Sequence, residues 1–159
     1  MPKRPLVSPA LDPETLMPRQ GSSYPEAFKG PVAARSKQVL GDALGLTRYG
    51  VNRVRLEPGA WSAQRHWHTK EDEFVLVLEG RITLVTDAGE QELGPGMVAG
   101  FPGGQADGHH LVNKSEHPAL YLEVGDRDPA DEVHYPDIDL FLKSTSDGRV
   151  FTDKKGKAY

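Results

Sequence analysis

A chain of 159 residues with 37% hydrophobic and 26% charged side chains has the length and make-up of one folded domain, which excludes a disordered or fibrous chain. Its formal charge of −4 comes with no long Lys/Arg run, so nucleic acid is not expected as a main partner. The absence of Cys removes disulfides, thiolate metal sites and Cys nucleophiles, leaving His, Asp and Glu as the strong ligands.

In chain order, residues 1–45 come first. Met1-Pro2-Lys3-Arg4-Pro5-Leu6 leads into no apolar stretch of the kind that opens a secretory signal, and a cytoplasmic location is expected. Pro2, Pro5, Pro9, Pro13, Pro18, Pro25 and Pro31 interrupt any long helix or central strand. The segment therefore reads as an extended arm, with a short helical turn near Pro25-Glu26-Ala27-Phe28, lying on the rest of the molecule or on a partner subunit.

From Gly50 onward the pattern becomes short strands between turn residues. The strands are Val51–Leu56, Ala60–His68, Glu73–Glu79, Arg81–Thr86, Gln91–Leu93, Met97–Phe101, His109–Asn113 and Ala119–Val124. Their breaks are rich in Gly and Pro, as in Glu57-Pro58-Gly59, Gly94-Pro95-Gly96 and Pro102-Gly103-Gly104. No helical pattern separates them, so an all-β antiparallel sandwich or barrel is expected over 46–125. The longest apolar run, Phe74-Val75-Leu76-Val77-Leu78, is far shorter than the ~20 residues of a membrane helix. It is apolar on both faces, and its outward face needs a second sheet, the arm or another subunit over it. A homodimer is expected. Residues 126–159 form a C-terminal extension in which Val150–Lys157 supplies one short strand at most, and His134 lies in a polar, exposed stretch.

Chemistry concentrates in His66-Trp67-His68. In a strand, i and i+2 share a face about 6.7 Å apart, a spacing that fits a metal pair and equally two solvated imidazoles. Glu73 follows the polar turn Thr69-Lys70-Glu71-Asp72 and heads the apolar strand, where a buried carboxylate needs a counter-charge or a metal. His109-His110 is the next candidate. Alternation allows only one of the two to join His66 and His68, and spacing alone does not choose between them.

At this point the residues resemble a family. Gly59, His66-Trp67-His68, Glu73 and Gly80 resemble the first cupin motif, and Gly96, Pro102-Gly103-Gly104, His109 and Asn113 resemble the second. Six residues rather than five separate Gly59 from His66, and four rather than two separate Gly104 from His109; both gaps fall in loops. Gly50-Val51-Asn52 and Tyr135-Pro136-Asp137-Ile138-Asp139 are similar to stretches of small single-domain bacterial cupins.

The resemblance implies a cupin double-stranded β-helix, a jelly-roll barrel with the N-terminal arm added. It implies His66, His68, Glu73 and His109 as ligands of one divalent metal, selecting His109 over His110. Imidazoles with one carboxylate suit Fe, Mn, Ni or Zn. Trp61, Arg65 and Phe101 are expected to line the pocket of a small-molecule substrate, and Asn113 to make structural hydrogen bonds near the site. Asp137 and Asp139 read as rim carboxylates. The expected function is a metal-dependent enzyme, dioxygenase- or isomerase-like. The alternative is a non-catalytic binding or sensing module, although no helix-turn-helix pattern accompanies the barrel.

Overall fold

In a computed structural model, residues 6–159 are described, and the first five residues of the expected arm lie outside them. The described residues form β1 (Arg19–Gln20), β2 (Arg35–Val39), a single helical turn α1 (Leu40–Ala43), β3 (Tyr49–Leu56), β4 (Trp67–His68), β5 (Glu73–Glu79), β6 (Ile82–Thr86), β7 (Gly89–Leu93), β8 (Val98–Phe101), β9 (His110–Val112), β10 (Ala119–Asp126), β11 (Val133–Tyr135), β12 (Leu140–Thr145) and β13 (Gly148–Thr152). All pairings are antiparallel. One sheet has the order β1-β2-β3-β10-β5-β8, and it faces two smaller sheets, β7-β6-β9 and β13-β12-β11-β4. The bridges His66↔His109 and Trp61↔Val112 join the two smaller sheets into one wall, giving an all-β jelly-roll barrel. No helix among the described residues is long and apolar enough to cross a membrane.

The period-2 rule decides what fills the barrel. Val54 and Leu56 of β3, Val75 and Val77 of β5, Ile82 and Leu84 of β6, Leu111 of β9 and Tyr121 of β10 all point inward and are buried. Burying a side chain of this size contributes roughly 1.5–3 kcal/mol, so this layer is what keeps the two walls together. A second cluster lies at one flank. There Tyr24 and Val32 from the N-terminal segment pack with Val133, Tyr135 and Leu140 from the C-terminal strands. Gly80 turns β5 into β6 with φ +77°, and a Cβ there would sit 2.7 Å from the Pro118 carbonyl; only glycine meets both demands.

Two local expectations need correction. The strand expected over Ala60–His68 is regular only at β4. Upstream, the backbone is captured by three different partners: Trp61 N–H donates to Pro31 O (2.8 Å), Ser62 N–H to Leu111 O (2.8 Å), and Gln64 N–H to the Tyr24 hydroxyl (3.2 Å). These bonds replace a continuous ladder. His134, expected in an exposed tail, sits instead in β11 with its ring stacked on Trp67 at 4.2 Å and 6°.

The outward face of β5 has no second sheet over it among the described residues. Phe74 remains 42% exposed, and Met97 and Val98, next to it on the β8 side, are 52% and 56% exposed.

Candidate metal centre

Three elements bring the four candidate ligands together. His66 and His68 stand two apart on the chain entering and forming β4, Glu73 opens β5, and His109 immediately precedes β9. The backbones of His66 and His109 exchange two hydrogen bonds, 3.1 and 2.8 Å, which fixes their rings side by side at 4.8 Å. The Nε2 atoms of all three histidines then face one atom, Glu73 Oε2, at 3.5 Å from His66, 3.5 Å from His68 and 2.7 Å from His109. His66, His68 and Glu73 form a group whose donor atoms lie within 4.8 Å of one another; His109 joins through its contact with Glu73.

The other ring nitrogens decide what these imidazoles can do. His66 Nδ1 lies 2.8 Å from Gln64 O, so it carries a proton and leaves the Nε2 lone pair for the cluster. His68 Nδ1 lies 2.7 Å from Asp131 Oδ2, so it too carries a proton on the side away from the cluster. Asp131 is completely buried, and its other oxygen accepts the N–H groups of Lys70 (2.9 Å) and Glu71 (3.2 Å). The ring of His109 is stacked on Phe101, 3.6 Å between centroids and 3° between planes. Each imidazole is thus held in orientation by something other than a ligand.

Charges follow the same geometry. Burial would raise the Glu73 carboxyl, but His109, His66 and His68 more than offset it and hold it well below the ordinary range. For His68 burial works against the proton, yet hydrogen bonds to Glu73 and Asp131 carry it up to about 9. The ring bridges two carboxylates, and a cation at the cluster would take the place of its Nε2 proton. Burial lowers His109 and His110, so both stay neutral at pH 7.

The donor chemistry fits a divalent transition metal: three imidazole nitrogens and one ionised carboxylate, with no sulfur. A second acid-rich group, His68, Glu71 and Asp131, is also close enough to hold a cation. It is already served by Arg149, whose Nη2 lies 2.6 Å from Glu71 Oε1 and 3.4 Å from Asp131 Oδ2. Among the described residues the first group has no such cation, and it opens on a cavity of about 180 Å³, which makes it the better place for a metal.

Of the other anticipated site residues, Phe101 lines the cavity and two do not. Trp61 packs on the flank cluster with its edge to His110. Arg65 forks onto both oxygens of Asp137 (2.7 Å each), pairs with Asp87 and donates to Gly108 O (3.0 Å), which ties the C-terminal segment to the barrel rather than facing a substrate. Asn113 is fully buried and donates to Leu56 O (2.9 Å) and His117 O (2.8 Å), stapling the loop after β9. Asp139 accepts from Lys154 N–H at 2.8 Å.

Sequence reasoning did not find Asp131, Arg35, Lys37, Glu123, Tyr24, Tyr135 or Arg149 as parts of this region. All but Asp131 line the cavity, together with Tyr121 and His110. A wider hollow of about 600 Å³ outside it shares Lys37, Glu73, Glu123 and Arg149, and so forms its mouth.

An antiparallel jelly roll carrying an inward cluster of histidines and a glutamate defines a cupin-type barrel. Comparison with known proteins agrees. The cupin domain family matches residues 52–125. A sugar phosphate isomerase of the cupin superfamily from Silicibacter pomeroyi is 45% identical, with TM-score 0.91 over 95% of this chain and 96% of that one. A candidate sugar phosphate isomerase from Acidithiobacillus ferrooxidans is 31% identical, with TM-score 0.71 over 79% and 80%. The polyketide cyclase RemF from Streptomyces resistomycificus, 21% identical with TM-score 0.59 over 77% and 81%, shares the fold. No functionally curated protein matches. The chain belongs to the cupin superfamily.

Proposed function

We propose that the protein is a divalent-metal-dependent isomerase acting on a sugar phosphate, with His66, His68, Glu73 and His109 as the metal ligands. The observation that carries this reading is the convergence of three Nε2 atoms on one carboxylate oxygen at the head of a cavity. The likeness to a 45%-identical cupin described as a sugar phosphate isomerase supplies the substrate class.

When bound, the metal supplies Lewis-acid polarisation of a carbonyl or hydroxyl oxygen. The protein's own groups do the rest. The cavity wall carries Tyr24, Tyr135 and His110, which keep the reacting carbons away from bulk water. His110 Nδ1 donates to Ala63 O (3.0 Å), leaving the Nε2 lone pair as the acceptor for a proton moved between adjacent carbons.

The test is to load the full chain with Mn, Fe, Ni or Zn in turn and follow a panel of aldose and ketose phosphates by NMR in deuterated water. Interconversion with deuterium entering at one carbon is expected for at least one metal. Tight binding of a sugar phosphate without interconversion under any metal would overturn the isomerase and leave a binding module.

We also infer a homodimer, in which Phe74, Leu76, Leu78 and Val98 of one chain face those of a second. The exposed apolar surface on β5 and β8 supports it. Light scattering at micromolar concentration is expected to give about twice the 17.4 kDa chain mass; the single-chain value contradicts the pairing.

A further inference from the structure

Three buried side-chain atoms have no hydrogen-bond partner among the described residues: Arg35 Nε, Tyr121 Oη and His109 Nδ1. Buried polar atoms are nearly always paired, so each one calls for a reason. All three belong to residues on the wall of the same 180 Å³ cavity. His109 is already placed by Glu73 and Phe101. Arg35 braces Ser62 and Gly21 through its terminal nitrogens and the Tyr121 ring packs in the core, but neither task uses Arg35 Nε or the Tyr121 hydroxyl.

The two remaining groups have a chemistry in common. A guanidinium N–H and a phenol O–H both donate, and burial pushes the Tyr121 phenol well above its ordinary range, so it keeps its proton. Arg35 spends its terminal nitrogens on two neutral acceptors, Ser62 O (2.5 Å) and Gly21 O (2.7 Å), which hold the guanidinium rigid without neutralising it. The other cations of the cavity are paired: Lys37 with Glu123 at 2.5 Å, and Arg149 with Glu71 at 2.6 Å. Arg35 is the one cavity cation that no carboxylate among the described residues approaches within ion-pair distance.

Leaving a part-buried charge without a counter-charge and a buried hydroxyl unbonded costs stability, and a site built for an acceptor-only, negatively charged group recovers that cost on binding. A neutral sugar hydroxyl would satisfy the bond and leave the charge. We propose that Arg35 and Tyr121 anchor the phosphate of the substrate, in the same cavity as the Glu73–histidine cluster. The assignment rests on the sugar phosphate reading above and adds to it where the phosphate is held. Substrate would then enter past Lys37, Glu123 and Arg149 at the mouth.

Calorimetric titration of the metal-loaded full chain tests it, with four probes: inorganic phosphate, a hexose 6-phosphate, the same hexose without phosphate, and acetate. The hexose phosphate is expected to bind at least ~10-fold more tightly than the free hexose, since a charge-assisted bond adds about that much or more. Arg35→Gln should weaken the phosphorylated probe ~10- to 100-fold, and Tyr121→Phe ~3- to 10-fold, with the free hexose unchanged. Metal content by elemental analysis should match wild type in both variants.

Tyr121→Phe separates anchoring from structure. The Tyr121 hydroxyl has the Ser62 side chain near it but makes no bond of full hydrogen-bond geometry, so its removal should change the melting temperature little. A marked fall in melting temperature with full phosphate affinity would overturn the proposal. So would equal binding of hexose and hexose phosphate, while acetate binding as tightly as phosphate would reassign the anchor to carboxylates. If the wild-type chain takes up no metal, the metal reading fails, and the phosphate titration of the same chain still reports on Arg35 and Tyr121.

Discussion

Glu73→Ala and His68→Ala each lower the affinity for a divalent cation by more than about 100-fold, beyond the 10–100-fold typical when only a supporting residue of a metal site is lost. Glu73 Oε2 is the point on which three imidazoles converge, so its removal takes away the only negative charge in the cluster and the atom that sets its centre. His68 matters for a different reason. Its ring connects the cluster to Asp131, and no other imidazole in the cavity has a carboxylate behind it. Neither side chain belongs to the apolar layer between the walls, so the sheets should survive both substitutions. Competition titration with a chromophoric chelator reads the affinity, and far-ultraviolet circular dichroism reads the fold. Wild-type metal affinity in both variants would show that the cluster is not the metal site.

Asp131→Ala should damage both stability and metal binding, and Asp131→Asn should separate the two. The carboxylate has no solvent exposure and accepts from Lys70 N–H, Glu71 N–H and His68 Nδ1–H. Deleting it strands three part-buried donors. Each orphaned group costs about 1–3 kcal/mol before relaxation, so a net loss of roughly 2–4 kcal/mol is expected, read by denaturant unfolding of the metal-free protein. Asparagine keeps one acceptor oxygen, enough for the Lys70 and Glu71 N–H groups, but turns an amide N–H towards His68 Nδ1, so it should recover only part of the stability. It removes the charge that makes the His68 ring a stronger donor to a metal, so metal affinity should remain about 10- to 100-fold down. Equal stability of Asp131→Ala and wild type would mean that the 69–71 turn is held by other bonds.

The sheet pattern was legible because alternation and turn chemistry are local. Glu73–Glu79 is a strand to the residue, and the turns at Gly80 and Pro95-Gly96 fall where glycine and proline put them. His66, His68, Glu73 and His109 could be picked out because two motifs place them, and the structure brings them to one point. The irregular course of 60–66 was not legible, since it is set by Pro31, Leu111 and Tyr24, which lie far away in sequence. Arg65 looked like a pocket cation because nothing nearby in sequence announces Asp87 and Asp137 as its partners. Asp131 lies in Asp128-Pro129-Ala130-Asp131-Glu132, a run that reads as solvated turn, and only the pairing of β11 with β4 carries it under His68. Tyr121 sits within Ala119-Leu120-Tyr121-Leu122, where a buried aromatic passes for core, and the sequence gives no sign that its hydroxyl lacks a partner.

Whether these four side chains hold one cation is answered most directly by a crystal structure of the metal-loaded protein, with anomalous data collected at the absorption edge of the metal found by elemental analysis. The expected result is a single peak about 2.0–2.2 Å from Nε2 of His66, His68 and His109 and from a carboxylate oxygen of Glu73. A peak beside Glu71 and Asp131 instead, or no peak within the barrel at full metal loading, would contradict the account.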